Sequence, residues 1–205
     1  MAALKGLSIR ANDQIVANVY RNITEEFVKY RGLEIEHQHI DDFSQEIFSK
    51  GSVIINAMSN SGKKTFIVLY HFITSDNLKA VDVKKLVAKL SKENDDYEII
   101  LVTQNQVSTH ISNYIKEAPV VIHSYTYCNF ILVVPQHILV PEYKVLSTEE
   151  QEHIVAKLNT KKNMLPKIKK TDPCVVWSTA KVGDVIQFIR PDDVVGRCVY
   201  YRVVV

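Results

Sequence analysis

The feature that most constrains the fold of this 205-residue chain is the pattern of residues 172–205. Asp172 followed by Pro173 predicts a helix start, because Asp caps the first backbone amides and Pro has the φ of a first helical position. Residues 184–190 and 197–205 are rich in Val, Ile, Phe and Tyr, which predicts two strands. The segment has no group arranged for covalent chemistry, which favours a module that binds another molecule.

Turn-forming residues separate these predicted elements. Gly183 precedes the first strand, and Pro191, Asp192 and Asp193 with Gly196 predict the connection between the strands. Successive side chains of a strand point to opposite faces. The neighbours Tyr200 and Tyr201 are therefore expected on opposite sides of the second strand, with at least one near a surface or an interface.

The composition is that of an ordinary globular protein, with 46% hydrophobic residues, 23% charged residues and a formal net charge of +2. The length allows one large domain or two small ones. The cysteines at positions 128, 174 and 198 form no CxxC pair, so neither a zinc knuckle nor a redox dithiol is predicted. With no predicted signal peptide or membrane span, we expect a soluble intracellular protein that does not bind membranes. We also expect no small-molecule substrate.

The first two thirds of the chain alternate between two kinds of pattern. A helical spacing of apolar residues covers 12–31 and ends at Gly32, and a shorter helix is predicted at 41–50. Further along, strands at 65–72, 98–104 and 120–127 alternate with helices at 78–90 and 107–116. This order predicts an α/β domain with a parallel or mixed sheet and crossover helices.

Two prolines mark a seam between domains. Pro135 and Pro141 interrupt an apolar stretch, and proline is not tolerated in a central strand. We therefore expect one domain at 1–135 and a small α+β domain at 136–205. In the second domain, Ser147 and Glu150 form a capping-box pattern that predicts a helix to about residue 159, with Ile154, Val155 and Leu158 on one face.

Two motifs that carry phosphate chemistry in other proteins are incomplete here. Residues 61–65 resemble a phosphate loop, but Ala57 and Lys64 stand where it needs Gly and Ser or Thr. Two-metal nucleases need clustered carboxylates, including an (Asp/Glu)-x-Lys triplet, and we expect no such triplet on any strand. The acids at positions 76, 82, 95 and 96 are expected to be caps or loop residues. No catalytic residue and no cofactor is predicted.

Two polar clusters leave alternatives open. His37 and His39 beside Asp41 have the spacing of a metal site, but a third ligand is not evident, so a solvated polar segment is favoured. A basic run is suited to phosphate backbone, to an acidic partner surface or to solvent. It consists of Lys161, Lys162, Lys167, Lys169 and Lys170.

Taken together, residues 165–205 resemble the C-terminal assembly domain of the fifth-largest subunit shared by the eukaryotic nuclear RNA polymerases, a domain that also has an archaeal counterpart. The resemblance rests on three strings: LPKIKKTDP, KVGDVIQFIR and GRCVYYRVVV. It implies a set of partner-binding residues. They are Leu165, Pro166, Ile168, Asp172, Pro173, Lys181, Gly183, Arg190, Gly196, Arg197, Tyr201 and Arg202. The turn departs from the family pattern at Val182, where a basic residue is usual.

The first domain resembles the eukaryotic jaw domain, which is similar in fold to restriction-type nucleases. The resemblance implies a viral two-domain homologue, similar to that of African swine fever virus. It further implies a non-catalytic subunit that docks on the largest polymerase subunit, contacts other subunits and holds its jaw near downstream double-stranded DNA, with possible DNA contacts at Ser108, Thr109 and His110. The host cytoplasm and virion are then expected, or the nucleus for a cellular protein. The alternative is a free-standing nucleic-acid-binding protein derived from a nuclease fold.

Overall fold

The computed structural model describes residues 9–35, 51–59, 62–70, 78–91 and 96–205. The chain divides into two compact units, Met1–Leu132 and Val133–Val205. The helix predicted at 41–50, the polar cluster of His37, His39 and Asp41, and the acids Asp76 and Asp95 lie outside the described residues. The domain boundary predicted between residues 135 and 136 stays a prediction, because compact packing does not test independent folding.

The first unit begins with one long helix, α1. It runs as α-helix over Ile9–Arg21, as π-helix over Asn22–Phe27 and again as α-helix over Val28–Tyr30. The predicted apolar face is confirmed, since Val16, Val19, Ile23 and Phe27 are buried. The helix ends where predicted, because Gly32 adopts a φ of 61°, in the left-handed region that favours glycine at this position.

A mixed sheet forms the centre of the first unit. Its strands, in spatial order, are Leu33–Ile35 (β1), Ser52–Ser59 (β2), Lys64–Tyr70 (β3), Tyr97–Thr103 (β4) and Val121–Thr126 (β5). The β1–β2 and β2–β3 pairs are antiparallel, and the β3–β4 and β4–β5 pairs are parallel. The parallel pairs are joined by the helices Ala80–Leu90 (α2) and Thr109–Glu117 (α3). The predicted mixed α/β sheet with crossover helices is therefore confirmed.

Helices cover both faces of this sheet. On one face, Phe66, Ile99 and Ile122 pack in a cluster with buried residues of α2 and with Ile111 of α3. Tyr125 points to the opposite face because it is three residues after Ile122 in the same strand. There the Tyr125 hydroxyl accepts a hydrogen bond from Arg31 at the end of α1, at 3.3 Å. Burial on both faces explains why β3 and β4 are continuously apolar.

The second unit is built on a smaller sheet. Its strands are Glu142–Val145 (β6), Lys167–Ile168 (β7), Val185–Asp192 (β8) and Gly196–Val204 (β9), in the spatial order β6-β8-β9-β7. The helices are Thr148–Lys157 (α4) and Pro173–Val176 (α5). The connection between the last two strands is shorter than predicted. Pro191 and Asp192, which were expected in the turn, are the last residues of β8. Proline is accommodated there because β6 pairs with β8 only up to Ile189.

Each face of the small sheet has its own core. Ile186, Phe188 and Val204 pack with Ile168 and with Val175 of α5. Val185 and Val203 pack on the other side with Leu146 and Leu165, against which α4 places Ile154 and Val155. Leu158, which was expected on the same helix face, is instead the C-cap and is 47% exposed. Within the described residues, no helix combines the length and apolar character needed to cross a membrane.

Candidate interaction site

Two of the residues predicted to bind a partner, Leu165 and Ile168, are buried in the second unit. Leu165 precedes β7 and belongs to the core on the α4 side, whereas Ile168 lies in β7 and belongs to the core on the α5 side. Pro166 between them is exposed, and its carbonyl oxygen accepts a hydrogen bond from the backbone N–H of Val203 at 2.8 Å. Leu165 and Ile168 therefore shape the sheet, and direct partner contact by them stays a prediction.

The Asp172–Pro173 pair begins α5 as predicted. The Asp172 carboxylate accepts a hydrogen bond from the backbone N–H of Cys174 at 3.0 Å, and Pro173 takes the first helical position. The short helix places Val175, Val176 and Trp177 in the interior. This pair fixes the orientation of α5 against the sheet.

The turn that begins β8 presents a charged and an apolar side chain to solvent. The backbone N–H of Lys181 donates to the Asp184 carboxylate at 2.7 Å, and Gly183 has a φ of 96°. The backbone N–H of Gly183 donates to the carbonyl oxygen of Val204 at 2.9 Å, so the turn is held against β9. Lys181 is exposed, and Val182 is 67% exposed where the family pattern has a basic residue.

Two arginines flank one aromatic ring on the sheet face that packs against α5. Tyr200 lies opposite Phe188 in the β8–β9 pair, and their rings stack with centroids 5.2 Å apart. The guanidinium groups of Arg190 and Arg202 lie 5.3 and 5.7 Å from the Tyr200 ring centroid, within the range of a cation–π interaction. The resemblance named both arginines but not Tyr200. The sequence did contain a signal for the contact between Tyr200 and Arg202, because residues two apart in a strand lie on the same face.

Beyond its contact with β6, the β8–β9 hairpin is exposed. Residues 190–199 are all solvent-exposed, and at the tip Val194 is 93% exposed. The tip is ordered by the Asp192 carboxylate, which accepts hydrogen bonds from the backbone N–H groups of Val194 and Val195, both at 2.9 Å. These bonds lower the pKa of Asp192. Gly196 closes the turn with a φ of 76°.

Tyr200 and Tyr201 face opposite sides of the sheet, as predicted. Tyr200 packs against the core on the α5 side, whereas Tyr201 packs against the core on the α4 side. Both are only partly buried. Arg197 is exposed, and by strand alternation its side chain is on the Tyr201 face. The hairpin therefore presents a tyrosine and at least one arginine on each face.

The residues predicted to contact DNA lie together at one end of the large sheet. Ser108 is the N-cap of α3, and Thr109 and His110 form its first turn. All three are exposed. They follow the carboxyl end of β4, where the loop is tied by the Thr103 hydroxyl donating to the carbonyl oxygen of Asn105 at 2.6 Å. Contact with DNA through these residues stays a prediction.

The sequence patterns for phosphate and metal chemistry have structural explanations. Gly62, with a φ of 81°, lies in the connection between antiparallel β2 and β3, so this segment is a hairpin and does not open a helix. The expectation that no strand carries an (Asp/Glu)-x-Lys triplet is wrong, because Glu142-Tyr143-Lys144 lies on β6. Lys144 there donates to Glu150 at 2.6 Å. No cluster of potential metal ligands occurs in the described parts of the chain.

The basic run predicted from the sequence is divided by the fold. Lys162 donates to the Gln151 side chain at 2.5 Å, and the buried Gln151 donates in turn to the carbonyl oxygen of Leu146 at 2.8 Å. Lys167, Lys169 and Lys170 are exposed along and just after β7. These three lysines therefore remain available for an acidic or phosphate-bearing partner.

The second unit matches a known protein family. Residues 132–204 match the family described as RNA polymerase Rpb5, C-terminal domain. A relative from Thermococcus kodakarensis, named DNA-directed RNA polymerase subunit Rpo5, is 46% identical over 69 residues, which are 34% of this chain and 84% of the relative. The family match covers β6 to β9, with the turns and helices between them, where the residues predicted to bind a partner lie.

Two longer relatives extend the similarity into the first unit. A protein from African swine fever virus, named DNA-directed RNA polymerase RPB5 homolog, is 28% identical over 192 residues, which cover 86% of this chain and 91% of the relative. A Caenorhabditis briggsae protein, named DNA-directed RNA polymerases I, II, and III subunit RPABC1, is 26% identical over 139 residues, which cover 67% of this chain.

Proposed function

This chain belongs to the RNA polymerase Rpb5 family, and we propose that it is a non-catalytic subunit of a multisubunit DNA-dependent RNA polymerase. Nucleotidyl transfer is then carried out by metal-binding carboxylates of other subunits. In this proposal the second unit docks on the largest subunit and also contacts other subunits. The first unit is a jaw, related in fold to restriction-type nucleases, that lies near downstream DNA during transcription.

The observation that carries the proposal is the match of the second unit to the family over residues 132–204. The exposed features of that unit suit a docking role. Lys181, Arg190 and Arg197 are solvent-exposed charges held on short turns and strands, and the Tyr200 ring is oriented by its stacking on Phe188. Tyrosine and arginine are enriched at the centres of protein interfaces.

The docking proposal is tested by affinity purification of the tagged full-length chain from cells that produce its polymerase. The largest subunit is expected in the eluate by mass spectrometry. The double variant Lys181→Glu/Arg197→Glu should reduce its recovery at least tenfold, since two exposed positive charges are reversed on the proposed surface. The control variant Lys85→Glu/Lys89→Glu makes the same charge change at two exposed positions on α2 and should leave the recovery of the largest subunit unchanged. Recovery of the wild-type chain only as a free monomer would overturn the proposal.

The jaw proposal rests on the exposed first turn of α3. Backbone N–H groups at a helix N-terminus favour anions, and the hydroxyl groups of Ser108 and Thr109 are suited to contact phosphate oxygens. These residues also follow β4, so the rigid sheet of the first unit fixes their position. Phosphate contacts of this kind position a protein on DNA without reading its sequence.

A photo-crosslinking amino acid tests the jaw in the assembled polymerase. Placed at Thr109 or His110, it is expected to crosslink to the duplex downstream of the transcribed site. As the control, the same amino acid is placed at Glu152 or His153 on α4, where no crosslink to the duplex is expected. Failure at both α3 positions in an active complex would reject the DNA contact. Salt-dependent DNA binding by the isolated chain, without polymerase association, would instead favour a free-standing nucleic-acid-binding protein.

Localisation follows from the same proposal. A polymerase subunit acts inside cells, and for a viral member of the family we propose the host cytoplasm and the virion. A cellular member would act in the nucleus. Immunoblotting of separated cytoplasmic, nuclear and virion fractions distinguishes these compartments.

A further inference from the structure

The fourth strand of the small sheet is much shorter than the strand beside it. β9 spans Gly196–Val204, but β7 contains only Lys167 and Ile168 and pairs with Val203 and Val204. The backbone N–H groups of Val203 and Val205 donate towards β7, to the carbonyl oxygens of Pro166 and Ile168, both at 2.8 Å. The outer edge of β9 is thus covered only at its carboxyl end.

Strand alternation identifies the backbone groups along the rest of this edge. In a strand, the N–H and C=O groups of every second residue point to the same side. Because Val203 donates towards β7, the backbone groups of Tyr201 and Val199 point the same way. Cys198, Tyr200 and Arg202 point towards β8. Within the second unit, all of which is described, no strand pairs with this side of residues 198–202.

The chain leading into β7 does not continue along this edge. Pro166 precedes β7, and Lys162–Met164 before it forms a 3-10 turn instead of a strand. Leu165 is drawn into the core on the α4 side. The sheet therefore has only a short fourth strand, and the uncovered part of the β9 edge is long enough for an added segment of about five residues.

The charges around the open edge are positive. Lys167, Lys169 and Lys170 are exposed along and just after β7, and Arg197 and Arg202 lie on β9 itself. Of the nearby acids, Asp172 is engaged as the cap of α5 and Asp192 accepts hydrogen bonds from the backbone of the hairpin tip, where Asp193 also lies, beyond Gly196. An added strand that carries carboxylates would be attracted here, whereas a basic strand would be repelled.

We infer that the open edge of β9 binds an extended acidic segment of a partner polymerase subunit as an added strand beside Val199 and Tyr201. The inference deepens the proposed function and rests on it. Backbone hydrogen bonds to these two residues supply the affinity, as in other cases of strand addition. The surrounding lysines and arginines supply the preference for acidic side chains.

Hydrogen exchange followed by NMR on the full-length chain provides the test. The probe is a blocked heptapeptide of alternating Glu and Val or Thr, and the same peptide with every backbone nitrogen methylated is the control. The amides of Val199 and Tyr201 should exchange rapidly in the free chain and at least tenfold more slowly with the probe. The amides of Cys198, Tyr200 and Arg202 should be slow throughout because they pair with β8.

The control peptide separates strand addition from charge attraction. It matches the probe in charge and side chains, but its N-methyl groups replace the donors and prevent the close approach that lets its carbonyl oxygens accept from β9, so it should protect neither Val199 nor Tyr201. The inference is overturned if both peptides bind with no alternating protection. It is also overturned if a short single-stranded DNA displaces the probe and itself binds without protecting these amides, because the edge would then be a charged surface for nucleic acid.

A single substitution removes one outward donor. Val199→Pro deletes an N–H that does not pair with β8, so the hairpin should keep its far-UV circular dichroism spectrum while probe affinity falls at least tenfold. If Val199→Pro does not fold, the exchange pattern of the wild-type chain decides alone. If the wild-type chain co-purifies with the largest subunit but shows no alternating protection, the inference fails and the proposed function stands. If it does not co-purify at all, the proposed function fails.

Discussion

The Asp172 carboxylate accepts a hydrogen bond from the backbone N–H of Cys174 at 3.0 Å, and the same carboxylate lies close to the thiol of that cysteine. Burial is the main reason that the pKa of Cys174 rises to about 11, and the negative charge of Asp172 adds to it. One side chain therefore starts a helix and helps to keep its neighbouring thiol protonated. Two predictions depend on this pair.

The first prediction concerns the cap. Asp172→Ala removes the acceptor for the Cys174 amide and should lower the free energy of unfolding by about 1 kcal/mol. Asp172→Asn keeps an acceptor oxygen and should lower the free energy of unfolding much less. Urea denaturation followed by tryptophan fluorescence is a suitable measurement, because Trp177 is the C-cap of the same helix and is fully buried. Equal losses for the two variants would show that the cap does not explain the role of Asp172.

The second prediction concerns thiol reactivity. At about pH 8 the Cys174 thiol should remain protonated and react slowly with iodoacetamide, because the thiolate is the reactive form. Cys128 and Cys198 are solvent-exposed and should be alkylated first. Peptide mapping by mass spectrometry after timed quenching distinguishes the three sites. Labelling of Cys174 in the folded protein at the rate of the other two would contradict its burial.

The third prediction concerns the capping box of α4. The hydrogen bond from Lys144 is the main cause of the lowered pKa of Glu150, and the backbone N–H of Ser147 at 2.9 Å contributes as well. A carboxyl with a lowered pKa in the folded state stabilises the protein above its usual pKa of 4.5, and this effect disappears as the pH falls through the lowered value.

The measurement compares thermal unfolding of the wild type and Glu150→Gln across pH. The wild type should have the higher Tm at about pH 7, and the difference should shrink as the pH falls below the usual pKa of 4.5. Glu149→Gln removes the same charge from the same helical turn and is the control. A Tm difference that does not change with pH would exclude the ionised pair as its cause.

The fourth prediction concerns the turn before β8. No atom lies within 4 Å of a Cβ placed on Gly183, so Gly183→Ala meets no clash and its cost comes only from the φ of 96°. We expect a loss of about 1 kcal/mol or more in unfolding free energy. Gly183→Asn should lower the unfolding free energy less than Gly183→Ala, because asparagine tolerates positive φ better than alanine. Equal stability of Gly183→Ala and the wild type would reject the strain argument.

Local patterns were the reliable guides to the fold. The Ser147–Glu150 capping box, the Asp172–Pro173 helix start and the glycine after α1 each depend on a few neighbouring residues, and all three were predicted correctly. The buried strands β3 and β4 were also predicted, because their continuous apolar runs have no helical spacing. In each case the physical cause lies within one turn or one strand of the residue concerned.

The features that escaped prediction depend on distant contacts. β2 was not assigned, since Asn56 interrupts its apolar run and its pairing with β3 defines it. The π-helical turn of α1 includes Asn22, whose amide donates to the carbonyl oxygens of Phe130 and Ile131 at 2.8 and 3.0 Å. The two arginines around Tyr200 meet because β8 pairs with β9 in one register.

The opposite orientations of Tyr200 and Tyr201 limit how the length of this chain can vary. Deleting one residue between Gly196 and Tyr200 would exchange the two rings between the α5 and α4 sides and move Tyr200 away from Phe188 and Arg190 on β8. A change of two residues would preserve the sides but shift the pairing with β8. Natural variation in length is therefore expected at the hairpin tip, around Asp193 to Val195, where no cross-strand pair is formed.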